Sequence, residues 1–178
     1  MKLLSFILLS FLLASCSDFS KGEQLESIAQ LNKTVDSIET VLIENKIDDI
    51  SEIAIEAETV TSRIKENLNS DTLELSLAKK IDAYMRMYRS IGNLKKIHTE
   101  LKKFTKAEKI TLNNLQKDID NGDGNRKKYG EYVLFEVKKV NQLTGVLNHY
   151  VKERKKAIDT YLAYHDNLFD FAFELIAK

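Results

Sequence analysis

Three groups of residues in this 178-residue chain have types and spacings that could do chemistry. His98 and His149 come first. If the helices that carry them turn back on each other near residue 123, the two imidazoles lie at one height on neighbouring helices. Two imidazoles are half of a zinc site, and no His-Glu-x-x-His or Glu-x-x-His pattern supplies the rest. The second group is Asp118-Ile119-Asp120-Asn121-Gly122-Asp123-Gly124, acid-rich like a calcium loop. Counted from Asp118, the sixth position needs glycine and holds Asp123, and the twelfth needs a bidentate glutamate and holds Tyr129. A plain helix–helix turn is the better reading. The third group is basic: Lys95, Lys96, Lys102, Lys103, Lys106 and Lys109, with Lys152, Arg154, Lys155 and Lys156. The same hairpin would bring the two runs level, where they suit either an anionic ligand or a salt-bridged, solvated face. His165, among Tyr161, Tyr164 and Phe169, reads as packed or exposed at the surface and not as catalytic. No nucleophile–base pair, glycine-rich phosphate loop or Gly-x-Ser-x-Gly elbow occurs, so the sequence indicates neither an enzyme nor a cofactor.

The remaining reactive residue is Cys16, the one cysteine, which leaves no intramolecular disulfide and no thiolate metal cluster. It ends a distinctive stretch. Lys2 gives a positive start, Leu3–Leu13 is apolar apart from Ser5 and Ser10, and Leu13-Ala14-Ser15-Cys16 closes it with small residues. A charged start, a short apolar run and a small-residue cut site make a secretory signal, and the run is too short to span a bilayer. Leu13-Ala14-Ser15-Cys16 resembles the lipobox of bacterial lipoproteins. That resemblance implies residues 1–15 as a signal peptide and acylation (palmitate-type chains) on Cys16. It also implies an address in the bacterial cell envelope, lipid-anchored on the periplasmic or the surface-exposed side. One acyl chain holds a protein marginally and two or more hold it stably, at about 0.8 kcal/mol per buried methylene.

Beyond Cys16 the chain carries 26 basic and 27 acidic side chains, a balance that argues against nucleic acid as a partner. It has no proline, no tryptophan and only six glycines, too few turn-formers for a sandwich or barrel. Rich in Leu, Ile, Lys, Glu and Ala, it should form long helices.

Helical stripes are legible throughout. The first runs Ile28, Leu31, Val35, Ile38, Leu42, Ile47, Ile50, Ile53, Ala57, Val60, Ile64 and Leu68, at the period of one helical face. Asn45–Asp49 is polar enough for a kink, with Asp49 and Glu52 able to cap a new helix. A turn is expected at Asn69-Ser70-Asp71, with Asp71 and Glu74 as a capping box. The second stripe runs Leu77, Ile81, Tyr84, Tyr88, Ile91, Leu94, Ile97, Leu101, Phe104, Leu115 and Ile119. It weakens at Ala107, Glu108 and Leu112, so Thr105 and Glu108 suggest a capping box and a bend near 104. The third follows Asp120–Asn125: Tyr129, Val133, Val137, Val140, Leu143, Leu147, Val151, Ile158, Tyr161, Leu168, Ala172 and Leu175. In the last turns Phe169, Phe173 and Ile176 point one way and Leu168, Phe171 and Leu175 another.

The expected fold is therefore all-α: an elongated antiparallel bundle of three long helices, each about 50 residues or ~75 Å, with a kink allowed. The alternative is a four-helix bundle folded back near Asn45–Asp49. Residues 16–21 would be the lipidated cysteine and a tether, and 22–178 the bundle domain. Tyr84, Tyr88, Ile158 and Tyr161 should cluster, with Ala54 and Ala57 facing the rings. The residues point to a non-enzymatic interaction or structural module. It would be held to the membrane through Cys16 and would bind a protein or an anionic envelope polymer. The alternative is an envelope enzyme or metal-binding bundle using His98 and His149.

Overall fold

Nothing in the chain except three short stretches opposes helix, and the structure is helical almost everywhere else. The computed structural model describes the backbone of residues 2–68 and 73–177, with side chains from Ser20 onward. It contains α1 (Lys2–Glu44), α2 (Asp48–Asn67), α3 (Leu75–Asn121), a 3-10 turn (Arg126–Lys128) and α4 (Tyr129–Glu174). No strand occurs among the described residues. The first of the three long segments is bent, because Asn45–Ile47 are not helical, and the protein is a helical bundle. α1 is continuous through residues 17–21, the stretch read as a tether. The turn expected at Asn69-Ser70-Asp71, with its capping aspartate, lies outside the described residues.

Two compact units share the helices. One joins residues up to Val41 with Lys103–Gly145, and the other joins Leu42–Lys102 with Val146–Lys178. In the first, Ile28, Leu31 and Val35 of α1 pack with Leu112, Leu115 and Ile119 of α3 and Tyr129, Val133 and Val140 of α4. In the second, the buried residues are Ile50, Ala57, Val60 and Ile64 of α2, Ile81, Tyr84, Ile91 and Leu94 of α3, and Leu147, Tyr150, Leu168 and Ala172 of α4. Burying each Leu or Ile contributes about 1.5–3 kcal/mol, so the stripes dominate the stability of both. α3 and α4 are antiparallel: Lys80 meets Asn167, Tyr84 meets His165, and His98 meets Tyr150, each pair equidistant within a residue from residue 124. α2 runs parallel to α4, as the pairs Asp49–Arg154 and Glu56–Tyr161 require.

The turn between α3 and α4 forms at the glycines. Gly122 has φ 72°, a left-handed conformation that ends the helix, and an added Cβ there would lie 2.3 Å from the Arg126 side chain. The Gly122 N–H donates to Ile119 O and the Asp123 N–H to Asp118 O, the paired bonds of a Schellman stop.

Two sequence expectations are corrected. Thr105 and Glu108 do not cap a new helix: α3 runs unbroken through them, each is 3% exposed and faces the interior, while Phe104 is 53% exposed. The buried stripe steps from Leu101 to Thr105, Glu108 and Leu112, keeping helical phase by accepting polar residues. Nor does Asp49 cap α2. The N-cap is Ile47 without a side-chain cap bond, and Asp49 pairs instead with Arg154.

Leu112 is fully buried in the first core. Leu112→Ala should cost about 2–5 kcal/mol, read by urea denaturation followed by circular dichroism, and Phe104→Ala under 1 kcal/mol.

Candidate functional site

Any helix that stops leaves its last carbonyls without intrahelical donors, and here α1 stops at Glu44 with no glycine or proline to stop it. Side chains from α3 and α4 take those carbonyls. The Tyr150 hydroxyl donates to Asn45 O at 2.8 Å, and Arg154 Nε donates to Lys46 O at 3.1 Å. A second Arg154 nitrogen reaches Asp49 Oδ2 at 2.5 Å, and His98 engages the Leu42 backbone. Tyr150 is fully buried and Arg154 is 9% exposed. Cationic and N–H groups at a helix C-terminus also meet its negative dipole end.

His98 therefore has its role at the junction. Its ring packs on Tyr150 at 5.5 Å between centroids, and burial lowers its pKa below the usual value, opposed by the Leu42 bond. His149, one residue along α4 from Tyr150, is exposed. The ring that His98 meets is thus Tyr150's. Among the described residues no group of three or more His, Cys, Asp or Glu is placed to hold a metal ion.

Nine residues beyond the junction lies a second polar–aromatic set. Tyr84, fully buried, hydrogen-bonds His165 Nδ1 at 2.6 Å. The Tyr161 ring stacks on His165 at 4.4 Å, and its hydroxyl donates to Glu56. His165 Nε2 lies 3.8 Å from the same carboxylate. Burial pushes both phenols up, with Glu56 adding to the effect on Tyr161. Tyr84 and Tyr161 thus share His165 as their centre. Ala57 is fully buried, Tyr88 and Ile158 are half-buried, and Ala54 and Tyr88 line one shallow groove.

The row continues outward along α4. His165 meets Phe169 at 5.9 Å, and Phe169 meets Phe173 at 4.6 Å, with the Arg63 guanidinium 4.1 Å above the Phe173 ring. Leu168 and Ala172 are buried and Phe171 and Leu175 half-buried, while Phe169, Phe173 and Ile176 are exposed at 39, 45 and 54%. Leu162, one heptad before Phe169, is 73% exposed. The end of α4 thus presents a half-exposed apolar row on the flank of its packed face.

The basic residues divide. Lys109 bridges Asp36 and Glu39 at 2.6 and 3.2 Å, and these carboxylates hold its ammonium above the usual range. Arg154 is spent on the junction and Lys155 on Asp159. Lys95, Lys96, Lys102, Lys103, Lys106, Lys152 and Lys156 are exposed.

In the Asp118–Asn125 turn the carbonyls are already claimed. Lys21 Nζ reaches Asp120 O at 2.9 Å, Arg126 Nε reaches Gly122 O at 2.8 Å, and the Tyr129 hydroxyl meets Asp118 O and Asp123 O. The tyrosine at the would-be twelfth calcium position is a backbone cap. The side chain of Cys16 lies outside the described residues. No helix among those described is long and apolar enough to cross a membrane. No known protein family, curated protein or solved structure matches the chain.

Sequence reasoning missed Tyr150 and placed Arg154 in a solvated cluster. The signal was present: Leu147, Tyr150, Arg154, Ala157 and Tyr161 keep alternating steps of three and four, so the stripe passes through the arginine. Tyr150→Phe keeps the ring and leaves Asn45 O without its side-chain donor. It should cost about 0.5–1.5 kcal/mol, the net worth of one hydrogen bond, in urea denaturation.

Proposed function

We propose that this is a lipid-anchored protein of the bacterial cell envelope, acylated on Cys16, that works as a non-enzymatic interaction module. The observation that carries the address is the run Leu3–Leu13 followed by Leu13-Ala14-Ser15-Cys16, with the sole cysteine at the one place a lipobox requires. The interaction reading is supported by the row Phe169, Phe173 and Ile176. Three large apolar side chains on one face are left uncovered beside Arg63, an arrangement frequent where proteins dock. The partner that fits is a protein with an apolar surface. An anionic envelope polymer is the second partner class, favoured by the exposed lysines of α3 and α4.

Cys16→Ser expressed in a bacterial host should move the protein from the membrane fraction to the soluble one. A variant that stays bound and uncleaved would make the segment a plain anchor and overturn acylation. Phe169→Ser with Phe173→Ser should abolish crosslinking to the wild-type partner in intact cells while the circular-dichroism melt shifts little, since both rings are already exposed. Unchanged crosslinking would remove the apolar row from the interaction.

A further inference from the structure

Two buried glutamates face each other across α3 and α4 in the first unit. Glu108 of α3 is 3% exposed and Glu136 of α4 is 7% exposed. One ammonium serves both: Lys139 Nζ lies 2.6 Å from Glu108 Oε2 and 2.7 Å from Glu136 Oε2. The other Glu108 oxygen, Oε1, is buried with no hydrogen-bond partner, as is Thr105 Oγ1 one turn earlier on α3. With both carboxylates ionised, the cluster holds two negative charges against one positive, with the carboxylates buried and the Lys139 side chain 35% exposed. The uncompensated charge is the costly feature, because a buried ion without a partner loses its hydration and gains nothing in return.

Among the described residues no other ion pair reaches the two carboxylates. From α1 the buried residues near this level are Val35 and Ile38, and its acids Asp36 and Glu39 are turned to Lys109, the residue after Glu108. From α4 the facing groups are Glu136 and Lys139 themselves, with the ammonium also 5.6 Å from the Phe135 ring. We propose that Glu108, Glu136 and Lys139 form a proton-operated clamp between α3 and α4: one proton taken from solvent balances the charge, and its loss as pH rises weakens the seam. A protonated Glu108 offers an O–H in place of a bare oxygen, leaving Lys139 and the Glu136 carboxylate as a simple pair.

The direction of the titration agrees. Burial first, and then Glu136 beside it, raise Glu108 above its ordinary value of 4.5. Burial works against the Lys139 ammonium, but Glu108 and Glu136 outweigh it and keep Lys139 charged. A carboxyl raised in the folded state binds its proton more tightly there than in the unfolded chain. Its stabilising contribution is therefore complete below the unfolded value and is lost as pH rises through the folded one.

Urea denaturation of the wild type and of Glu108→Gln between pH 4 and pH 8 tests this, because glutamine imitates the protonated side chain. The unfolding constant of the wild type, divided by that of the variant, should rise with pH. The rise begins near the ordinary value and levels off above the folded one. A ratio constant across the range would overturn the clamp. Glu136→Gln, which also removes the surplus charge, should abolish the same rise. Because either variant could fold poorly, carboxyl-carbon NMR of the wild type gives an independent reading: Glu108 should titrate above 4.5, and a midpoint at or below that value would overturn the proposal.

Discussion

The bend between α1 and α2 has to be supplied with hydrogen-bond donors, and much of the second unit is arranged to supply them. A helix broken without glycine or proline is broken by something outside itself, since the local backbone would otherwise continue. At Asn45–Ile47 that influence comes from α3 and α4: Tyr150, Arg154 and His98 offer the carbonyls of Leu42, Asn45 and Lys46 partners other than the next turn of helix. Tyr150 and Arg154 are buried, so these two donors are fixed with the core of the second unit. Asp49 completes the arrangement, pairing with Arg154 where it would otherwise have capped α2.

The same economy of donors explains what the histidines do. His98 gives an N–H to the end of a helix and a ring face to Tyr150. His165 gives one nitrogen to Tyr84 and lies with the other near Glu56, between two aromatic neighbours. Neither is presented to solvent as a ligand or base would be. The tyrosines behave alike, for Tyr129, Tyr150 and Tyr161 each use the ring as core and the hydroxyl as a tie to a second element or turn. Long helices with few side-chain links between them depend on such amphipathic residues for register, because apolar stripes alone tolerate sliding by a turn.

At the far end of α4 the balance tips. Leu168 and Ala172 meet the requirement for burial, and the chain still adds Phe169, Phe173 and Ile176 on a flanking face. Arg63 covers one side of the Phe173 ring, Phe169 packs beside it, and the residue is still 45% exposed. The proposed interaction rests on this row.

The sequence by itself determined the class of fold and most of its core. A chain without proline, with two of its six glycines in Asp120–Asn125 and its apolar residues at steps of three and four, has one economical way to bury them. Of the first stripe, Ile28, Val35, Ile50, Ala57, Val60 and Ile64 are at most 1% exposed. The division of the α4 end into Leu168 inside and Phe169 outside was likewise a matter of helical phase. Periodicity put Arg154 in phase with the stripe, but residue type pointed Thr105, Glu108 and Arg154 to caps and surface charges. Glu108 is buried where Lys139 meets it and Arg154 where the α1–α2 carbonyls and Asp49 meet it, while the Thr105 hydroxyl is buried without a partner. A partner that comes from a distant part of the chain is invisible to local pattern, so the bend, the buried carboxylate pair and the aromatic network were decided only by the tertiary structure.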